Sequence, residues 1–190
     1  MEIKELKKGI RKKIKELKNS MPQQVRESSS IAIQEKLLEN DMVKKATTIF
    51  LYYALPDEVD TVLLLEKLSN RRGGKKKIIL PVVEGDILIL KEYIPEETVS
   101  GYQKIQEPTG NVIINPADID LAIIPGVAFD RQCNRMGRGK GFYDKLLPYL
   151  HCPTIGLGFD FQIIEAVPCE AFDKPLDYVM TESTVYCSPR

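Results

Sequence analysis

Ile124-Pro125-Gly126-Val127-Ala128-Phe129-Asp130, resumed at Asn134-Arg135-Met136-Gly137-Arg138-Gly139-Lys140-Gly141-Phe142-Tyr143-Asp144, is the stretch on which the reading of the fold turns. It leaves the apolar run Asp120 to Pro125 and enters a helix expected to begin near Phe142. A strand that is apolar at nearly every position, rather than at alternate ones, belongs in a parallel sheet covered on both faces. In open α/β sheets ligands bind beyond the carboxyl ends of the strands, which is where this stretch lies.

Its chemistry is that of an anion site. Gly137, Gly139 and Gly141 alternate, so the backbone can approach a ligand closely and adopt positive φ. Their N–H groups and the start of the following helix can form a nest for an anion. Arg135, Arg138 and Lys140 add positive charge around it. A polyphosphate calls for both features, although a basic surface turn would look similar. The loop is not a Walker A loop, because Lys140 is followed by glycine and the glycine spacing differs. It is not the dinucleotide fingerprint either. Asp144 suits either the first turn of a helix or a Mg²⁺ ion beside phosphates. Asp177, in Pro175-Leu176-Asp177-Tyr178-Val179, is a second candidate for the metal, or a turn residue ahead of a strand.

Outward from this centre, helices and strands alternate. Residues 3–18 read as an amphipathic helix with Ile3, Leu6, Ile10, Ile14 and Leu17 on one side and lysines on most of the rest. Lys7 and Arg11, four apart beside that stripe, either reach inward to an anion or are solvated. Ser20 is read as the N-cap of a second helix, with Pro22 in its first turn and its end near Glu39. Thr47 to Tyr53 reads as a buried strand, Pro56-Asp57-Glu58 as a loop, and Thr61 to Asn70 as a helix ended by Gly73-Gly74. Strands are expected over Lys77 to Val83 and Ile87 to Tyr93, joined at Gly85-Asp86. Residues 94–118 read as a long surface excursion with little regular structure, and such loops are often functional. A strand over Thr154 to Gly158, a short helix over Gln162 to Ala166 and a closing strand Tyr178-Val179-Met180 complete the pattern. This alternation predicts an α/β fold with a mostly parallel sheet and helices on both faces. No repeat, linker or low-complexity tract divides the chain, so residues 1–190 are expected to form one domain.

Composition sets limits on function. Among 190 residues, 27 Lys and Arg balance 27 Asp and Glu, so an extended nucleic-acid surface is not expected. No apolar run approaches a membrane span, and the basic N-terminus is followed by no apolar stretch of the kind a secretory signal needs. A cytoplasmic monomer is the expectation. Cys133, Cys152, Cys169 and Cys187 are scattered without a CxxC pair, and His151 is the lone histidine. A zinc site, disulfides and a Ser-His-Asp or Cys-His catalyst are therefore all disfavoured.

The central stretch resembles the signature of the 5-formyltetrahydrofolate cyclo-ligases. Lys7 to Arg11 is similar to that family's basic N-terminal helix. Asp57-Glu58-Val59-Asp60-Thr61 resembles its folate-contacting loop, and Pro168 to Glu182, with Phe172-Asp173, Leu176-Asp177 and Thr181-Glu182, its C-terminal segment. The resemblance implies a Rossmann-like three-layer α/β/α sandwich that uses ATP and Mg²⁺ to convert 5-formyltetrahydrofolate, free or polyglutamylated, to 5,10-methenyltetrahydrofolate. By the same resemblance Lys7, Arg11, Arg135 and the run Gly137, Arg138, Gly139, Lys140, Gly141, Phe142 and Tyr143 would bind ATP. Asp144 and Asp177 would place Mg²⁺, and Glu58 would contact the pterin, with Tyr53 a further pocket residue. Lys140, and less centrally Arg138, would neutralise the transferred phosphoryl group. Two positions depart from the pattern: many members have glycine at Cys133 and tyrosine at Phe142. Cys133 implies a turn that needs no positive φ there, and Phe142 removes a hydroxyl. The competing readings are a folate- or nucleotide-binding protein without catalysis, a phosphosugar- or coenzyme A-handling enzyme of similar architecture, and an RNA-binding role for the basic N-terminal helix.

Overall fold

A computed structural model of the chain describes residues 2–69, 76–101, 105–170 and 173–189. The Gly73-Gly74 helix breaker and Phe172 lie outside them. Seven strands form the main sheet: β1 (Thr48–Phe50), β2 (Lys77–Glu84), β3 (Ile87–Glu92), then, further along the chain, β6 (Leu121–Pro125), β9 (Thr154–Leu157), β11 (Tyr178–Met180) and β12 (Val185–Cys187). They lie in the order β12-β11-β9-β6-β1-β2-β3. The run β11-β9-β6-β1-β2 is parallel, and an antiparallel strand closes each edge. Tyr178 to Met180 is therefore not the last strand, because β12 pairs outside it.

Side chains of the buried strands alternate between two apolar layers. On one face Ile49, Ile78, Leu121, Ile123 and Ile155 pack with Ile33 and Leu37 of α2 (Gln23–Glu39), Val43 of α3 (Asp41–Lys45) and Leu64, Leu65 and Leu68 of α4 (Val62–Ser69). On the other, Phe50, Ile79, Ala122, Ile124 and Val179 pack with Leu146 of α5 (Phe142–Leu146) and with Leu147 and Leu150 just beyond it. Helices on both faces of one sheet make the three-layer α/β/α sandwich. Each buried Leu or Ile contributes about 1.5–3 kcal/mol relative to exposure, so the two layers dominate stability. The first helix, α1 (Ile3–Ser20), stands apart from them. Its Ile14 packs on a small second sheet of β7 (Ala128–Asp130), β8 (Arg135–Met136) and β10 (Ile163–Ile164).

Several local expectations are corrected. α1 continues to Ser20, and α2 starts after Pro22, so Ser20 ends one helix instead of capping the next. The 94–118 excursion holds a two-stranded hairpin, β4 (Thr98–Ser100) with β5 (Gln106–Pro108), and a 3₁₀ turn, Pro116–Asp118. The helix expected at Gln162 to Ala166 is a 3₁₀ turn, Asp160–Gln162, followed by β10, which pairs with β7. The turn at Cys133 does require positive φ: Cys133 has φ +64°. Asp130 holds it there, its Oδ1 accepting from Gln132 and Asn134 N–H and its Oδ2 from Val167 N–H.

Candidate active site

β1 and β6 are neighbours, yet the chain leaves β1 toward β2 on one side and leaves β6 toward β9 on the other. Their carboxyl ends form the topological switch point, where such sheets open a crevice. A cavity of about 390 Å³ lies there. One wall follows β1 and carries Tyr53, Leu55 and Glu58. The other follows β6 and carries Gly137, Arg138, Lys140, Gly141, Phe142, Tyr143 and Asp144. The β2–β3 hairpin and the 94–118 excursion supply an apolar side with Pro81, Val83, Leu88 and Ile105.

The glycine-rich wall is an exposed loop over a buried base. Gly139 and Gly141 have φ of +102° and +72°, so the loop takes turns that side-chain-bearing residues resist. Beneath it lies Arg135, its side chain 3% exposed and ion-paired with Asp144. Arg135 Nη1 donates to the Pro125 carbonyl at 3.2 Å, and the guanidinium stands 5.5 Å from the centre of the Tyr143 ring. Its Nε is buried without a hydrogen-bond partner among the described residues. A Cβ at Gly137 would stand 2.9 Å from Arg135 Nη1, so glycine there lets the loop lie directly on the guanidinium. Arg135 thus shapes the floor of the site and holds Asp144. The helix behind the loop spans five residues, so its dipole adds little, and an anion must be held by the loop N–H groups and side-chain cations. Desolvation raises the Tyr143 phenol far above its ordinary pKa, so it stays protonated.

The other four cations expected near the phosphates stand in different conditions. Lys140 is exposed at the loop and makes no ion pair or hydrogen bond among the described residues. Arg138 crosses the cavity mouth to Asp57 (2.5 Å) and Glu58 (3.0 Å). Arg11 Nε donates to the Gly137 carbonyl at 2.9 Å, bracing the loop from α1. Lys7 is a turn away and does not line the cavity. Its Nζ is held by Asp173 (2.8 Å) and Glu170 (2.9 Å). On the opposite wall Glu58 Oε2 accepts from Leu55 N–H. Tyr53 is half-buried at the cavity, whereas Tyr52 belongs to the core, donating its hydroxyl to the Val59 carbonyl.

The two carboxylates expected at the metal part company. Asp144 lines the cavity. Asp177 lies at the amino ends of the parallel strands, accepting from both N–H and hydroxyl of Thr154, the first residue of β9. Three strand residues, roughly 10 Å, separate that level from the cavity end of β9, which removes Asp177 from the site. Among the described residues no three carboxylate, histidine or cysteine side chains cluster as a metal cage. A Mg²⁺ ion carried by a polyphosphate takes one or two protein carboxylates and completes its shell with water and phosphate oxygens. Asp144 fits such a ligand. Sequence reasoning placed Asp57 in the folate-contacting loop without its ion pairs to Lys18 and Arg138, and missed Lys18 and the apolar side of the cavity. The only sequence signal for the last was the length of the excursion.

The sequence model of the 5-formyltetrahydrofolate cyclo-ligase family matches residues 3–182. The chain is 36% identical to the 5-formyltetrahydrofolate cyclo-ligase of Escherichia coli K12 over 153 residues, 76% of this chain and 82% of that one. It is 22% identical to the mouse protein of the same name over 199 residues, 94% of each. The solved structure of Aquifex aeolicus 5,10-methenyltetrahydrofolate synthetase superposes with a TM-score of 0.87 at 32% identity, covering 97% of this chain and 94% of that one. No helix among the described residues is long and apolar enough to cross a membrane. With the family's sequence pattern running through nearly the whole chain and its fold shared with a solved member, the protein belongs to the 5-formyltetrahydrofolate cyclo-ligase family.

Proposed function

We propose that the switch-point cavity catalyses the ATP-dependent closure of 5-formyltetrahydrofolate to 5,10-methenyltetrahydrofolate, with release of ADP and phosphate. The observation that carries this reading is the pairing of two unlike walls in one crevice: a cation-bearing glycine loop facing a carboxylate and a tyrosine. The loop N–H groups, Arg11 and Lys140 suit the phosphates of ATP. Glu58 suits the 2-amino and ring N–H groups of a pterin, and Pro81, Val83, Leu88 and Ile105 suit the aromatic ring that follows it. Mg²⁺ beside Asp144 would neutralise charge on the β- and γ-phosphates.

The chemistry explains why no histidine or cysteine is needed. An amide oxygen is a poor leaving group. Attack of the formyl oxygen on the γ-phosphorus expels ADP and makes that oxygen a phosphate ester on an iminium carbon. N10 adds to this carbon and loses its proton, and the C–O bond then breaks with departure of phosphate, leaving the methenyl bridge. The protein's part is to align the formyl oxygen with the phosphorus and to neutralise the moving phosphoryl charge. Lys140, exposed toward the cavity, carries that charge, with Arg138 beside it.

The remaining features of this reading are a single domain over residues 1–190 and a cytoplasmic monomer that takes free or polyglutamylated folate and binds neither membrane nor nucleic acid. Two measurements test the core of it. Mixing the protein with 5-formyltetrahydrofolate and MgATP should raise the near-ultraviolet absorbance of the methenyl product, and only when ATP is present. With ¹⁸O in the formyl group, the label should appear in the released phosphate. Product formation with unlabelled phosphate would refute the phosphorylated intermediate while leaving the overall reaction in place.

A further inference from the structure

The two walls of the cavity are tied together by a chain of four charged side chains that begins far from the reacting atoms. Lys18, near the end of α1, is 4% exposed, with Nζ 3.3 Å from Asp57 Oδ2. An ammonium is retained at such a site only where an anion pairs it. Asp57 Oδ1 in turn receives Arg138 Nη2 at 2.5 Å. Arg138 also gives Nε and Nη2 to a single oxygen of Glu58, Oε1, at 3.1 and 3.0 Å. Arg26 fixes the segment that carries both carboxylates, donating to the Pro56 and Lys18 carbonyls at 2.8 Å each.

The ends of this chain are unequal. Asp57 is anchored from behind by a buried cation and a clamped backbone. Glu58 faces the cavity with both oxygens engaged, Oε1 by Arg138 and Oε2 by Leu55 N–H. A pterin that presents two donors to Glu58 must compete with Arg138 for Oε1. Arg138 would lose its Glu58 contacts and keep the one to Asp57, with its freed N–H groups at the cavity mouth beside the glycine loop. The phosphoryl group is the anion arriving there.

On the cyclisation reading above, we propose that Lys18 and Asp57 are positioning residues that hold Arg138 between the two substrates, so that pterin binding exchanges Arg138 from Glu58 to the phosphoryl group. Each substrate then strengthens the binding of the other by the same factor. ATP alone meets an Arg138 still held by Glu58.

The test measures that coupling directly. Binding of a non-hydrolysable ATP analogue is titrated with and without 5-formyltetrahydrofolate in wild type, Lys18→Met, Lys18→Arg and Asp57→Asn, alongside product formation and melting temperature. Wild type should bind the analogue about tenfold more tightly in the presence of the folate, within the usual range of coupling between sites. Lys18→Met should bind each ligand alone much as wild type does and lose the coupling, Asp57→Asn should lose the coupling as well, and Lys18→Arg should restore it. Variants that melt earlier yet keep the wild-type coupling would show a purely structural role and overturn the proposal. If Lys18→Met does not fold, Asp57→Asn decides. Wild type that forms product without coupling would overturn the exchange alone. Wild type that shows coupling without product would overturn the cyclisation reading alone.

Discussion

Lys140 and Arg138 are two residues apart and carry the same charge, but their surroundings assign them different work. Lys140 is exposed and unpaired among the described residues, so removing it leaves no orphaned partner, and its effect on folding should fall within about 0.5 kcal/mol. Lys140→Ala should therefore shift the melting temperature by no more than about 2 °C, while single-turnover methenyl formation slows by roughly 10²-fold or more, as loss of one preorganised charge contact does. Near-normal turnover would remove Lys140 from the mechanism, and a large thermal shift would give it a structural role instead. At this scale the sequence was informative about chemistry and silent about partners. Alternating glycines and interleaved cations are local, and they mark the loop. The burial of Arg135 beneath Gly137 and the grip of Asp57 and Glu58 on Arg138 are set by segments elsewhere in the chain, and the positive φ of Cys133 by a turn that Asp130 closes. Asp144 and Asp177 look alike as carboxylates near apolar runs. Only strand direction and register put one at the cavity and the other at the opposite end of the sheet.

Elements buried on both faces were readable because their apolar runs are continuous: β6 and β9 stand within a residue of where hydropathy places them. The small sheet β10-β7-β8 was not readable, since its strands are two or three residues long and β10 joins β7 only across a long sequence gap. The 94–118 excursion lies between these cases. Its length marked it as functional, but its hairpin is short and polar, and its role appears only when Ile105 is seen against the cavity beside Pro81, Val83 and Leu88. Among the described residues the lining on this side carries no cation, so it should act on the folate. Truncating Ile105 to alanine removes some 40 Å² of apolar contact, about 1 kcal/mol or roughly fivefold in affinity. Steady-state kinetics of Ile105→Ala should show that rise in the KM for 5-formyltetrahydrofolate with the KM for ATP unchanged. A rise in both would mean that the hairpin supports the whole cavity and does not line one half of it.

Across the molecule, α1 is lightly secured by apolar packing for an eighteen-residue helix, although it supplies Arg11 to the loop and Lys18 to the opposite wall. Of its predicted stripe Ile14 is buried, while Ile3 remains 40% exposed and Leu6 and Leu17 38%. Its attachment therefore leans on polar ties: Lys7 to Asp173 and Glu170, Arg11 to the Gly137 carbonyl, and Lys18 to Asp57. Burial alone would raise the Asp173 and Asp57 carboxyls. Lys7 for the first, and Lys18 with Arg138 for the second, outweigh it and hold both below the ordinary range. A carboxyl depressed by folding contributes stability that is fully present above its unfolded pKa, about 3.9. That contribution is lost as pH falls through the lower folded value. The ties of α1 should accordingly be complete at neutral pH and weaken below about pH 4, before the apolar layers give way. Hydrogen exchange, corrected for the intrinsic effect of pH, should show residues 3–20 losing protection near pH 3 while β6 and β9 keep theirs. Asp173→Asn should reproduce the loosening at pH 7, lowering α1 protection about tenfold, the effect of losing one charge-assisted hydrogen bond. It should also raise the KM for ATP, because Arg11 leaves the loop with the helix. Loss of protection spread evenly over α1 and the sheet would make the helix part of one cooperative core. Full protection in Asp173→Asn would shift its attachment to Ile14 and the small sheet.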